Sequence, residues 1–131
     1  MKHRFATACA LLLSSALVLA AQSNWFHKVP QADRARVNPY AGQPEAATAG
    51  KLLFEDNCAK CHGSDAEGRH GRPSLRSQRV ANATDGELAW ILRNGQTFHG
   101  MPSWSSLPEQ QRWQIIAYLR TLPTDTHHHT R

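Results

Sequence analysis

The sequence predicts an all-α fold with three main helices joined by long loops. Three stretches carry apolar residues at helical spacing, and each has residues typical of a helix start or a helix end. No stretch shows the alternation of apolar and polar residues that predicts a half-buried strand. The 131 residues are enough for one small domain, whose core would be only marginally stable without further support.

The first predicted helix covers residues 45–57, and Pro44 suits its start because the first helical N–H needs no partner. Gly50 and Phe54 lie four residues apart and Cys58 follows at the same interval, so the three share one helical face. A glycine inside a helix costs about 1 kcal/mol relative to alanine. Its presence suggests that another helix crosses closely at Gly50, the alternative being a tolerated glycine in an ordinary core.

Two further helices are predicted from capping-box pairs, in which a hydroxyl residue precedes Glu by three positions. Thr84 and Glu87 form the first pair, and Gly95 supplies the stop signal for that helix. Ser106 and Glu109 have the same spacing and predict the start of the last helix. The apolar residues at helical spacing are Leu88, Ile91 and Leu92 in one helix and Trp113, Ile115, Ile116, Ala117, Tyr118 and Leu119 in the other.

The segment Cys58-Ala59-Lys60-Cys61-His62 follows the first predicted helix directly. Two cysteines two residues apart, followed at once by a histidine, form the attachment pattern of c-type haem. The two thiols add to the two vinyl groups of one haem, so they must lie a fixed short distance apart. The imidazole must then reach the iron from the same turn of chain. The pattern therefore predicts Cys58 and Cys61 as thioether donors and His62 as the proximal iron ligand.

Two other interpretations of the paired cysteines stay open. A structural zinc site would need four ligands that close around the metal, and the remaining cysteine, Cys9, lies in a predicted leader segment. A thioredoxin-like dithiol would need a βαβ setting, for which the sequence gives no signal. A covalently held haem c would also give this short chain a large apolar body to pack around.

With these motifs, the chain resembles the class I monohaem cytochromes c of the bacterial cell envelope over roughly residues 46–122. The resemblance implies the cytochrome c fold, in which the first and last helices cross at a glycine and aromatic pair. Gly50 and Phe54 match this pair, and Ile115 and Tyr118 match the positions that meet it. The resemblance also implies that the carbonyl of Pro73 accepts a hydrogen bond from the second nitrogen of the proximal imidazole.

Met101 lies in an irregular loop between Gly100 and Pro102. A buried thioether is a common gap filler, but this glycine would let the backbone approach a flat cofactor and the proline would stiffen the approach. The family places its distal iron ligand in such a loop, so the resemblance implies Met101 as the sixth ligand. His99 is the other candidate for that position.

A haem iron with both axial positions filled has no open site for a substrate, so we expect an electron carrier rather than an enzyme. The resemblance implies a periplasmic electron-transfer cytochrome c with one low-spin haem. Its expected donor is a dehydrogenase or a quinol-oxidising complex, and its expected acceptor is an oxidase or a reductase. A fixed or membrane-tethered subunit of a dehydrogenase or oxidase complex is the alternative. A haem enzyme or gas sensor would require Met101 to be displaceable.

The formal net charge of +5 gives no argument for nucleic-acid binding and is compatible with brief docking to an acidic redox partner. The basic residues expected around an exposed haem edge are Lys60, Arg69, Arg72 and Arg76.

We divide the chain into four segments. Residues 1–22 have a basic start, an apolar run and small residues near the end, and predict a signal peptide or an uncleaved N-terminal anchor. Residues 23–43 predict an extended arm or linker, with residues 38–40 packed on the domain. Residues 44–123 form the predicted domain. Residues 124–131, which include three adjacent histidines, are predicted to be a disordered tail.

Overall fold

The computed structural model describes residues 26–125 of the chain. Residues 26–30 belong to one unit, which contains the short 3-10 helix Phe26–Lys28. A second unit starts at Gln31. Its helices are α1 (Gln31–Arg34), α2 (Pro44–Asn57), α3 (Ala59–His62), α4 (Gln78–Asn82), α5 (Asp85–Asn94) and α6 (Glu109–Leu119), with a 3-10 helix, Thr97–His99, between α5 and α6.

The all-α prediction is confirmed, since the described residues pair extended backbone only in an isolated bridge between Gln96 and Met101. Among these residues, no helix combines the length and the apolar character needed to cross a bilayer. The predictions for residues 1–22, including Cys9, and for the histidines at 127–129 fall outside the described part of the chain.

The core is built where α2 and α6 cross. A Cβ added at Gly50 would lie 1.9 Å from the carbonyl oxygen of Gln114, so the two backbones approach with no room for a side chain. One turn later, Phe54 is completely buried, and its ring centroid lies 5.4 Å from that of Tyr118. The close crossing predicted at Gly50 is confirmed.

The same core continues into the cysteine motif. Phe54 and Tyr118 share a buried cluster with Cys58 and Ala66, and apolar side chains from the end of the domain close over it. The partly buried members of this cluster are Ala59, Leu75, Leu119 and Leu122. The helix crossing therefore fixes the position of Cys58, the first cysteine of the motif.

The helix starts follow the predictions at α2 and α5 but not at α6. Pro44 is the first residue of α2, and the capping box of α5 is complete, with the Thr84 hydroxyl accepting from the Glu87 N–H at 3.1 Å. The capping box predicted at Ser106 is wrong, because α6 begins at Glu109 with Pro108 as its N-cap residue and no side-chain cap. Ser106 lies two residues before that N-cap, too far back to reach the first turn.

Helix α4 was not predicted from the sequence. Its carbonyl groups are held by a side chain that comes from the end of α6. The guanidinium of Arg120 donates to the carbonyl oxygen of Val80 at 3.0 Å, and also to that of Ala83. A contact over some forty residues of sequence leaves no local signal in α4 itself.

Residues 36–38 lie against α6 instead of forming a free linker. Asn38 is buried, and its side-chain amide donates to the carbonyl of Trp113 at 3.0 Å. The guanidinium of Arg36 lies 5.1 Å from the centre of the Trp113 ring and pairs with Glu109, whose carboxyl pKa it lowers. The packing predicted for Asn38 is confirmed. The extended conformation predicted for the whole arm is wrong, because Gln31–Arg34 form a helical turn.

The arm also packs closely against the start of α5. A Cβ at Gly86 would lie 2.1 Å from the carbonyl oxygen of Asp33, and the Thr84 hydroxyl donates to the carbonyl of Arg34 at 2.9 Å. We expect Gly86→Ala to displace the arm and lower the free energy of unfolding by about 1 kcal/mol, at the low end for overpacking because the arm can detach. Limited trypsin digestion should then cleave at Arg34 or Arg36 faster than in the wild type. Unchanged cleavage would contradict this role of Gly86.

The order of the chain extends past the predicted end of the domain at residue 123. The backbone N–H of Asp125 donates to the carbonyl of Arg76 at 2.8 Å, and its carboxylate accepts from the Ser74 hydroxyl at 2.6 Å. The Arg76 guanidinium also pairs with Asp125 and with Glu67. The prediction of disorder from residue 124 is therefore wrong for residues 124 and 125.

Candidate haem site

The cysteine motif forms a single helical turn that continues from α2. The N–H of Cys58 donates to the carbonyl of Phe54 at 2.8 Å, and the carbonyl of Cys58 accepts from Cys61 at 3.1 Å and from His62 at 3.0 Å. One turn of helix therefore presents both thiols and the imidazole. Cys58 is buried, His62 is half-buried and Cys61 is exposed.

The two thiols differ in environment. Burial raises the pKa of the Cys58 thiol to about 11, and the neighbouring Cys61 contributes to the same shift. A thiol with this pKa is protonated at neutral pH, and a protonated thiol is a poor nucleophile and slow to oxidise. In the chain without its cofactor, Cys58 is thus a poor nucleophile, and Cys61 differs from it in being exposed.

His62 and Pro73 come together as the resemblance implied. Nδ1 of His62 lies 2.9 Å from the carbonyl oxygen of Pro73 and donates to it in the tautomer protonated at Nδ1. The loop between them folds back on the motif, since the N–H of Gly68 donates to the carbonyl of His62 at 2.7 Å. In this tautomer Nε2 is the ring nitrogen that keeps a free lone pair for a metal.

Met101 closes a tight loop that follows α5. Its backbone exchanges two hydrogen bonds with Gln96, at 2.9 and 3.1 Å. The base of the loop is tied to α5, because the N–H of Trp104 donates to the carbonyl of Leu92 at 2.8 Å. Met101 is half-buried, whereas His99 is exposed. The structure therefore holds the thioether on a loop whose ends are fixed.

The loop that carries Pro73, the hydrogen-bond partner of His62, is in contact with the loop that carries Met101. Arg72 directly precedes Pro73, and its Nη1 donates to the carbonyl of His99 at 2.7 Å. His99 lies two residues before Met101. The imidazole side and the methionine loop are therefore neighbours in the fold.

The residues present fit a covalently attached haem. Two thiols and an imidazole with one engaged nitrogen stand on one turn, and the core cluster reaches the first thiol. Sulfur and imidazole are also the donor types by which proteins hold haem iron in electron-transfer proteins.

The contact of Arg72 with the methionine loop was not predicted from the sequence, in which this residue was expected only as part of a basic rim. The available signal was weak: a glycine at position 100, beside the candidate ligand, marks a place where another group approaches the backbone. Arg76, expected in the same rim, pairs with Asp125 and Glu67 instead. Lys60 and Arg69 are exposed.

An all-α fold whose helices α2 and α6 cross at a glycine, with a thiol–thiol–imidazole turn at the end of α2, defines a class I c-type cytochrome. The family model described as cytochrome c oxidase, cbb3-type, subunit III matches residues 45–119, and the chain belongs to this family. Haem c is accordingly its cofactor, and the motif from Cys58 to His62 fits its attachment.

Similar proteins include subunits of cbb3-type oxidases and a small cytochrome. The chain is 42% identical over 65 residues to the cbb3-type cytochrome c oxidase subunit FixP of Rhizobium meliloti (strain 1021), a match that covers 47% of this chain and 22% of FixP. It is 35% identical over 101 residues to the subunit CcoP of Rhodobacter capsulatus, covering 63% of this chain and 32% of CcoP. The chain therefore spans less than a third of the oxidase subunits that it matches.

Two other similarities extend over larger parts of the matched proteins. Cytochrome c-554(547) of Halothiobacillus neapolitanus is 31% identical over 87 residues, a match that covers 58% of this chain and 96% of that cytochrome. The solved structure of cytochrome CL from Methylophaga aminisulfidivorans MPT aligns with a TM-score of 0.59 and 30% identity, covering 66% of this chain and 59% of that chain. Proteins named as cytochromes are thus similar to this domain in both sequence and fold.

Proposed function

We propose that the protein is a periplasmic electron-transfer cytochrome c whose single low-spin haem shuttles one electron between redox partners. The observation that carries this proposal is the contact between the loop of Pro73, the hydrogen-bond partner of His62, and the loop of Met101, which Arg72 joins at 2.7 Å. When bound, haem c supplies one-electron exchange between the ferrous and ferric states. The similarity to cytochrome c-554(547), which is matched over 96% of its length, supports a carrier, because a domain of this kind makes up nearly the whole of that cytochrome.

Each residue of the site has a distinct role in the proposal. Cys58 and Cys61 would hold the haem through thioethers, and His62 and Met101 would bind its iron. The Pro73 carbonyl, 2.9 Å from Nδ1 of His62, keeps the ring in one orientation and makes Nε2 more basic. A methionine ligand raises the reduction potential, because the soft thioether favours ferrous iron. With His62 and Met101 both on the iron, no position would remain for a substrate, which supports an electron carrier over an enzyme.

Docking to partners would use the exposed surface around the motif and the methionine loop. Lys60 and Arg69 are exposed there, and the Phe98 side chain in the loop is 99% exposed. Basic side chains steer an acidic partner toward the site and mainly raise the association rate. The donor would be a dehydrogenase or a quinol-oxidising complex, and the acceptor an oxidase or a reductase.

The periplasmic location is supported by the leader-like composition of residues 1–22. Such a segment would serve as a cleaved signal peptide, or as an anchor to the inner membrane where it is kept.

The proposal is tested by visible spectra and the intact mass of the protein purified from the periplasm of a host that matures c-type haem. We expect the mass of the polypeptide plus one haem, and a methionine-to-iron charge-transfer band in the oxidised protein. Reduced protein should bind carbon monoxide poorly. A mass equal to that of the bare polypeptide would refute the attachment by Cys58 and Cys61, and absence of the band would refute Met101 as the ligand.

A second candidate function is a fixed subunit of an oxidase, favoured by the similarity to FixP and CcoP. Native membranes and the soluble fraction should be separated, and the haem-stained protein in each examined by size-exclusion chromatography under mild detergent. A free carrier would elute alone as one small cytochrome. Co-elution with an oxidase at constant stoichiometry would favour the subunit.

A further inference from the structure

Arg72 joins the two sides of the candidate haem site. Its chain neighbour Pro73 accepts the hydrogen bond from His62, while its own Nη1 donates to the carbonyl of His99 at 2.7 Å. His99 is two residues from Met101. Arg72 thus lies beside Pro73, the partner of the proposed proximal ligand His62. It also contacts the loop of Met101, the proposed distal ligand.

The guanidinium fits a space that Gly100 leaves free. A Cβ at Gly100 would lie 2.6 Å from Nη1 and 3.2 Å from Nη2 of Arg72, so any side chain there would push the guanidinium away. Gly100 also has φ +76°, in the left-handed region that favours glycine. A glycine before Met101 therefore meets two requirements. It allows the left-handed turn of the backbone, and it leaves room for the guanidinium of Arg72.

The backbone from which Arg72 extends is itself fixed relative to His62. Its N–H donates to the carbonyl of Arg69 at 2.9 Å, and a Cβ at Gly68 would lie only 2.5 Å from its carbonyl oxygen. Gly68 in turn donates to the carbonyl of His62 at 2.7 Å. The side chain of Arg72 therefore reaches the methionine loop from a backbone segment that is held near His62 and does not move with that loop.

We propose that Arg72 is a positioning residue that holds the loop of Met101 closed and so keeps the methionine on the haem iron. This inference rests on the proposed function, in which Met101 is the sixth ligand. The two hydrogen bonds between Gln96 and Met101 lie within the loop and would move with it, whereas the bond from Arg72 comes from outside. A hydrogen bond from a charged donor is stronger than a neutral one, which suits this task.

An external ligand measures how well the loop is held, because it binds iron only when Met101 has left. The apparent dissociation constant equals the intrinsic constant divided by the fraction of open protein. Loss of one hydrogen bond from a charged group should raise that fraction about tenfold. Imidazole is a suitable probe, since its binding to oxidised haem is followed by the visible spectrum.

The experiment is an imidazole titration of the oxidised holoprotein in the wild type and three variants. We expect Arg72→Leu to lower the dissociation constant of imidazole about tenfold. Arg72→Lys keeps the charge and one donor but not the planar guanidinium. Its dissociation constant for imidazole should therefore fall between those of the wild type and Arg72→Leu. Arg69→Leu removes the same charge from an exposed position of the same loop, and its constant should stay within about twofold of the wild type.

The outcomes separate this inference from the proposed function. If the wild type shows the methionine-to-iron band and Arg72→Leu binds imidazole as the wild type does, the role of Arg72 is refuted while the ligation stands. Equal shifts in Arg72→Leu and Arg69→Leu would also refute it, since net charge alone would explain them. A wild type without the band refutes the ligation and, with it, the role of Arg72.

Discussion

Replacing Met101 with alanine should lower the reduction potential by on the order of 0.1 V and open the iron to external ligands. The thioether is a soft donor that stabilises ferrous iron more than ferric iron, so its loss favours the oxidised state. The vacated position would also accept carbon monoxide in the reduced protein. A spectroelectrochemical titration gives the potential, and carbon monoxide difference spectra report the open site.

The matched control is His99→Ala, because His99 is the other side chain in this loop that could bind iron. His99 is exposed, and its backbone carbonyl, which Arg72 contacts, is kept in the variant. We expect its potential and its oxidised spectrum to equal those of the wild type. If the wild type lacks the methionine-to-iron band, Met101→Ala leaves the potential unchanged and His99→Ala shifts it, the two assignments must be exchanged.

Features set by residues close in sequence were predicted well. The approach of two helices at Gly50 follows from an apolar helical face with a period of four. It also follows from a glycine that lowers helix stability and is therefore expected only where another helix comes close. The capping box at Thr84 and Glu87 follows from a three-residue spacing. Both were confirmed, because the side chains that define these features lie within one or two helical turns.

Features that depend on distant residues were missed. Arg120 holds α4 across about forty residues. The packing of Asn38 was predicted, but its partner, the carbonyl of Trp113 seventy-five residues away, was not. A surface arginine gives the same sequence signal whether it is solvated or donates to a distant carbonyl. At α6, the capping pattern of Ser106 was misleading because Pro108 has an extended backbone and takes the N-cap position itself.

The candidate site divides in the same way. The attachment motif was interpreted from five consecutive residues, since covalent chemistry fixes their spacing. Pro73 and Met101 came from the resemblance to a family, as no spacing rule links either of them to His62. Arg72 was found only in the structure, because its role depends on the path of two loops that are 27 residues apart in the chain.

Gly50→Ala should destabilise the protein, although alanine is the better helix former. Alanine would gain about 1 kcal/mol from helix propensity. Its Cβ would lie 1.9 Å from the carbonyl oxygen of Gln114 and 3.0 Å from the N–H nitrogen of Ile115, both backbone atoms that no rotamer change can move. Overpacking of this kind costs about 3 kcal/mol at the upper end of the usual range, so we expect a net loss of about 2 kcal/mol.

Chemical denaturation of the holoprotein measures this loss, and Thr48→Ala is the matched control. Thr48 is exposed on the same helix, so alanine there changes helix propensity with no overlap and should alter stability by less than about 0.5 kcal/mol. Because α2 leads directly into Cys58, separating α2 from α6 should also disturb the buried cluster that contains this thiol. We therefore expect Gly50→Ala, unlike Thr48→Ala, to bind imidazole more tightly in the oxidised state. A Gly50→Ala protein as stable as the wild type would show that the two helices do not meet at this glycine in the holoprotein.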